Sequence, residues 1–337
     1  MSAAAILGCA GHRLNADERA FFRDADPLGF ILFARNIASP GQVRRLIDDL
    51  RGCAGRSDTF MLIDQEGGRV ARLPAPPWRA APAAERIGAL YRHDPAAGLE
   101  AARLNAGLIA GELLELGIDV DCAPVLDLRL PGAHGVIGDR SFGAHGDGVT
   151  ALGRAACEGF LNGGVLPVIK HIPGHGRAGQ DSHKALPAVE TPRDVLESTD
   201  FAPFRALRDM PVAMTAHVVY TAIDAHAAAT VSSIVLNDIV RGAIGFEGLL
   251  IGDDLSMAAL QGGLGGRAAA AIDAGCDVVL HCNGVLKEMA AVVGTCGSPS
   301  PQAKARIAAA RARISVPGPI GRLDPARLKA LLMRAAA

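Results

Sequence analysis

Aromatic side chains are scarce in this 337-residue chain, at 4%. Apart from phenylalanine there are only Trp78, Tyr91 and Tyr220. Platforms for stacking bases or long sugar chains are therefore few. A basic excess is missing too: Lys and Arg total 34, Asp and Glu total 35, and the formal charge is -1. That balance argues against a nucleic-acid binder and against a polyanion-binding surface or an acidic tail. No apolar run approaches the ~20 residues of a membrane span. The seven cysteines include no C-x-x-C pair and mostly sit in apolar runs, the pattern of reduced core thiols in a cytoplasmic protein. Residues 1–11 are apolar but too short for a signal peptide and lack its basic segment. The expected partner is a small soluble substrate, with no nucleic acid and no membrane, and the chain is expected to be a monomer.

What is present is a chain that is half hydrophobic, in which short apolar runs alternate with longer amphipathic stretches. The runs at 6–10, 30–34, 60–64, 118–125, 167–171, 212–217, 249–253 and 277–281 read as strands. Helices are expected at about 39–51, 94–116, 147–162, 193–208, 232–243, 257–274, 286–294, 301–314 and 325–334. Ser39-Pro40 and Asp94-Pro95 supply an N-cap followed by Pro at the first helical position, and Gly117 is a stop signal. Eight strands alternating with helices mean a parallel sheet. An open doubly wound sheet should carry G-x-G-x-x-G after its first strand, and Cys9-Ala10-Gly11-His12-Arg13 has none. Several strands instead end in polar residues: Asp64, Asp127, Lys170-His171, His217, Asp253-Asp254 and His281. Functional groups at many strand ends converge at the mouth of a (β/α)8 TIM-type barrel. The reading is an α/β single domain over 1–337, with 317–337 a C-terminal tail and helix.

Three clusters carry chemistry. In the first, Lys170 to Gly176 is followed by Asp181-Ser182-His183. Asp181 and His183 are two apart, so in an extended segment both side chains fall on one side. Asp181 can then fix the tautomer of His183 and make it a general acid/base; the bland alternative is a solvated loop. Gly174, Gly176 and Gly179 suggest a loop that brings this pair in upon binding. In the second cluster, Asp253 and Asp254 close an apolar strand. Alternation lets only one face the barrel axis, so Asp253 is expected to be a carboxylate nucleophile and Asp254 to cap the helix that follows. The third is Asp64-Gln65-Glu66-Gly67-Gly68-Arg69-Val70-Ala71-Arg72. Here Asp64 can accept, and Arg72 donate, hydrogen bonds to ligand hydroxyls. Arg140 is a comparable loop arginine, and a surface ion pair is the bland reading of either.

At these clusters the sequence resembles the family 3 glycoside hydrolases, specifically their single-domain β-N-acetylglucosaminidases. The resemblance spans nearly the whole chain: G-F-I-L-F-A-R-N at 29–36, D-Q-E-G-G-R-V at 64–70, A-P-V-L-D at 123–127, D-R-S-F-G at 139–143, K-H-I-P-G-H-G at 170–176, D-S-H at 181–183, M-T-A-H at 214–217 and D-D-L-S-M at 253–257. D-S-H is the most diagnostic of them. The resemblance implies that Asp253 is the nucleophile, His183 the acid/base and Asp181 its partner. It implies that Asp64, Arg72, Arg140, Lys170 and His171 hold an N-acetylglucosamine ring. It further implies retaining hydrolysis of terminal N-acetylglucosamine from muropeptide fragments in peptidoglycan recycling, with no metal and no cofactor. Gly252, where a Ser is common in the family, puts the rate in doubt but not the role of its neighbour.

Other readings remain open at this point. His171, His175, Asp181 and His183 are metal-ligand types, although Pro173-Gly174 breaks any helix that would align the first two. Lys170 at a strand end is a Schiff-base candidate. Phosphorolysis is the nearest rival, because a His repels an incoming phosphate less than a carboxylate does.

Overall fold

A computed structural model describes residues 2–56, 58–182, 185–314 and 323–334. Eight parallel strands close a barrel: β1 Ala3–Leu7, β2 Pro27–Leu32, β3 Phe60–Ile63, β4 Val120–Asp121, β5 Leu166–Ile172, β6 Val212–Thr215, β7 Leu249–Asp254 and β8 Val278–His281. Each pairs with its neighbours in sequence, and β1 pairs with both β2 and β8. This is the expected (β/α)8 barrel.

Alternation along each strand divides the core in two. Ile6, Ile31, Leu62, Val168, Val212 and Ile251 pack together in one cluster, inside the ring. Their sequence neighbours, among them Leu7, Phe30, Ile63, Ile169 and Leu250, pack into a second, larger cluster with the helices. A strand buried on both faces needs apolar residues at successive positions, which is why these segments read as unbroken apolar runs.

The helix caps form as the sequence implies. Ser39 accepts from Gln42 N ahead of helix Pro40–Ala54, and Asp94 accepts from Ala97 N ahead of Pro95–Leu116, which ends on Gly117 at φ 88°. Other boundaries differ. The helix expected over 257–274 is confined to Leu264–Ala274. The Asp254 carboxylate accepts from Ser256 N and Ser256 Oγ, and Arg267 donates to the carbonyls of Leu255 and Met257. These bonds hold residues 255–260 as turns, so Asp254 caps a turn and not a helix. The segment 193–208 breaks into Arg193–Ser198 and Ala202–Ala206. The strand expected over 118–125 is continuous only at Val120–Asp121; past Pro124, which has no N–H to give, an isolated bridge joins Val125 to Lys170. Helix Pro325–Met333 buries Leu328, Leu331 and Leu332, and Arg327 pairs with Glu100. No described helix is long and apolar enough to cross a membrane.

Candidate active site

The C-terminal ends of the strands open into a cavity of about 320 Å³, at the small end of the ~300–1,000 Å³ usual for ligand pockets. Asp64, Arg72, Arg140, Lys170, His171, Asp181 and Asp253 all line it. His183, expected beside them, lies outside the described residues. Phe33, Val136, Ile137, Met214 and Met257 supply apolar wall.

The floor of the cavity is a charge network. Lys170 Nζ stands 3.0 Å from Asp64 Oδ1 and 2.7 Å from Glu66 Oε1. Arg72 Nη2 donates to Asp64 Oδ2 at 3.0 Å, and Arg140 grips both oxygens of Glu66 at 2.8 and 2.9 Å. Burial alone would raise Asp64 and Glu66, but Lys170 and their arginines hold both carboxyls below the usual range. Burial would likewise lower Lys170, but Asp64 and Glu66 outweigh it and hold the ammonium above its ordinary value. A lysine kept protonated in this way is unsuited to Schiff-base chemistry. The paired ions form a rigid array of donors and acceptors suited to the hydroxyls of one polar ring.

Asp121 lies fully buried near this network, its Oδ1 accepting from Gln65 N at 2.9 Å. Burial, helped by Asp64 and Glu66 against the Gln65 amide and Lys170, pushes it up to about 8. The folded chain thus keeps a proton that the unfolded chain releases near ~4, so stability is lost as pH rises between those values. Asp121→Asn retains an acceptor for Gln65. It is expected to raise the thermal midpoint at about pH 9, with the gain over wild type closing towards about pH 4, as calorimetry at both pH values will show.

Asp127, at the end of A-P-V-L-D, organises the opposite wall. Its carboxylate accepts from His171 Nδ1 at 2.7 Å, from His171 N at 3.2 Å and from His175 N at 2.6 Å. The proton of His171 is thereby fixed on Nδ1. The chain beyond is anchored as well: Tyr220 Oη donates to the Gly174 carbonyl, His134 N to the Ala178 carbonyl, and the His175 ring meets Ser182 Oγ at 3.1 Å. A Cβ on Gly176 would come within 2.2 Å of the Leu128 carbonyl oxygen. That glycine therefore serves close packing. Among the described residues no three His, Cys, Asp or Glu are grouped to hold a metal ion.

Asp253, the penultimate residue of β7, has its Oδ1 accepting from Asp254 N at 2.8 Å. Burial raises its carboxyl, yet the His217 and His171 rings, the Asp254 amide and Lys170 together keep it below its ordinary value. The carboxyl is thus held in its anionic form. A model of the glycosyl hydrolase family 3 N-terminal domain matches residues 4–316. The chain belongs to that family. A Beta-hexosaminidase of Alkalilimnicola ehrlichii is 42% identical over 282 residues, covering 82% of this chain and 80% of that one. NagZ from Neisseria gonorrhoeae, solved in complex with N-trifluoroacetyl-D-glucosamine, has 32% identity and a TM-score of 0.86, covering 99% and 98% of the two chains. A family 3 β-N-acetylglucosaminidase from Paenibacillus sp. has 32% identity and a TM-score of 0.87, with 99% of this chain matching 66% of that one.

Sequence reasoning gave Glu66, Asp127 and His217 no individual role, although it placed the last two among the strand-end polar residues. Glu66 is two residues from Asp64 and so falls on the same side of an extended segment. Asp127 and His217 each end a short motif after an apolar run, the signal that singled out Asp64 and Asp253.

Proposed function

We propose that this chain is a retaining exo-β-N-acetylhexosaminidase. It removes terminal non-reducing N-acetylglucosamine from muropeptide fragments, N-acetylglucosaminyl-1,6-anhydro-N-acetylmuramic acid with or without peptide, during peptidoglycan recycling in the cytoplasm. The observation that carries this reading is the Asp253 carboxylate in a cavity sized for one ring and floored by Asp64, Glu66, Lys170, Arg72 and Arg140. The relatives' names support the sugar class.

In the first step an Asp253 carboxylate oxygen forms a bond to the anomeric carbon. The glycosidic bond breaks, and His183 gives its proton to the departing oxygen. In the second step His183 takes a proton from water, whose oxygen displaces Asp253 and regenerates the β-anomer. Two inversions leave the configuration unchanged. Histidine suits both duties because its ordinary pKa is near ~6.5, and it adds no second anion beside the nucleophile. Asp181 orients it.

Initial rates on the anhydro-disaccharide and on an aryl β-glucoside check the sugar assignment. The disaccharide should release N-acetylglucosamine, and the glucoside should be inert. Comparable cleavage of the glucoside would contradict it, and a glycosyl phosphate formed in phosphate buffer would favour phosphorolysis.

A further inference from the structure

The backbone that carries Asp253 lies where the barrel's regular pairing stops. The β6–β7 ladder ends at Met214–Ile251, and the β7–β8 register shifts between Ile251 and Asp254. Pairing with β8 resumes at Asp254–Leu280, so it is residue 253 that neither ladder holds.

Thr215, His217 and Thr230 stand there. All three are at 0% exposure, and none lines the cavity. Asp253 N lies 3.3 Å from Thr215 Oγ1, which lies 2.7 Å from Thr230 Oγ1. Thr230 Oγ1 lies 2.7 Å from His217 Nδ1, and His217 Nε2 lies 3.0 Å from the Asp254 carbonyl oxygen.

The donors in this circuit follow from its ends. A carbonyl oxygen only accepts, so His217 carries a hydrogen on Nε2. A neutral ring then has none on Nδ1, which accepts from the Thr230 hydroxyl. Thr230 has used its one hydrogen and accepts from Thr215. Thr215 has used its own and accepts from the Asp253 amide. The bonds run in one direction and return to the two residues where they began. Thr230 has a second acceptor in reach, the Ala216 carbonyl at 3.1 Å, which it would use only against a protonated ring. Burial holds His217 below its ordinary value despite Asp253 and Asp254, with His171 acting in the same direction as burial. Burial thus favours the neutral ring that the circuit needs. Gly252 leaves room for the circuit, since a Cβ there would meet Thr230 Cγ2 at 3.3 Å.

We propose that His217, Thr215 and Thr230 are positioning residues for the nucleophile, fixing the Asp253–Asp254 backbone and so the aim of the Asp253 carboxylate. This rests on the reading of Asp253 as the nucleophile.

The test compares wild type with Thr230→Val, which exchanges the hydroxyl for a methyl, and with Thr230→Ser, which keeps the hydroxyl. A fluorinated N-acetylglucosaminyl fluoride traps the covalent intermediate, and peptide mass spectrometry locates and times the label. Thr230→Val is expected to slow both labelling and kcat by about 10- to 100-fold, the scale of a small misplacement of a reacting group. KM and the Kd of N-acetylglucosamine should stay within about twofold, because ground-state binding is untouched. Thr230→Ser should label at close to the wild-type rate. Thr215→Val breaks the circuit at its other hydroxyl and should reproduce the loss, which covers a Thr230→Val protein that does not fold. Labelling of Asp253 at the wild-type rate in the valine variants, or equal loss in Thr230→Ser, overturns the proposal. A wild-type label on any residue other than Asp253 overturns the nucleophile reading itself, and the proposal with it.

Discussion

Asp253→Ala is expected to lower kcat on aryl N-acetylglucosaminides by about 10⁴-fold or more, the scale seen when a covalent nucleophile is removed. Asp254, beside it, is committed to the Ser256 amide and hydroxyl. Asp64 and Glu66 are tied to Lys170, Arg72 and Arg140, and Asp127 is committed to His171 and His175. Asp253 spends one oxygen on the Asp254 amide. The ring-binding residues do not depend on its carboxylate, so the variant should still bind N-acetylglucosamine, as calorimetric titration will measure. Loss of binding together with kcat would mean that Asp253 holds the sugar and does not attack it.

His183→Ala should lose about 10²- to 10⁴-fold, the usual contribution of a general acid, but only on substrates whose leaving group needs protonation. An activated aryl leaving group departs without that proton. On such a substrate glycosylation should be largely spared, and slow release of the intermediate should appear as a burst of aryl product. Rates across a series of phenols of graded acidity check this. Equal losses along the whole series would contradict the acid role. Asp181→Asn should show the same dependence with a smaller loss, because it weakens the orientation of the acid and leaves the acid itself in place.

The barrel was legible because its evidence is local. Apolar runs ending in Asp64, Lys170-His171 and Asp253 mark strands and also mark which end of each strand meets the ligand. The site was only partly legible, because its remaining parts are defined by distant partners. Asp127 and His171 are 44 residues apart in sequence, and nothing short of the closed barrel brings them together. Glu66 looks like a surface acid until Lys170 and Arg140 are seen on it. The helix misread over 257–274 has the same origin: its periodicity is helical, but the Asp254 carboxylate has already captured the Ser256 amide and hydroxyl.

The scarcity of aromatics fits the cavity that the barrel builds. Its floor is ionic, and among the described residues Phe33 is the only aromatic besides histidine in its wall. Arg35 and Arg72 both lie over that ring, at 5.0 and 5.1 Å from its centroid, so it is packed against side chains on the protein's own surface.

The central claim, double displacement at Asp253 on N-acetylglucosamine, is tested most directly by following the first turnovers of a chromogenic β-N-acetylglucosaminide by proton NMR. The account requires the β-anomer of free N-acetylglucosamine to appear first and the α-anomer to grow in later by mutarotation. Initial release of the α-anomer would mean a single displacement by water, and would contradict it.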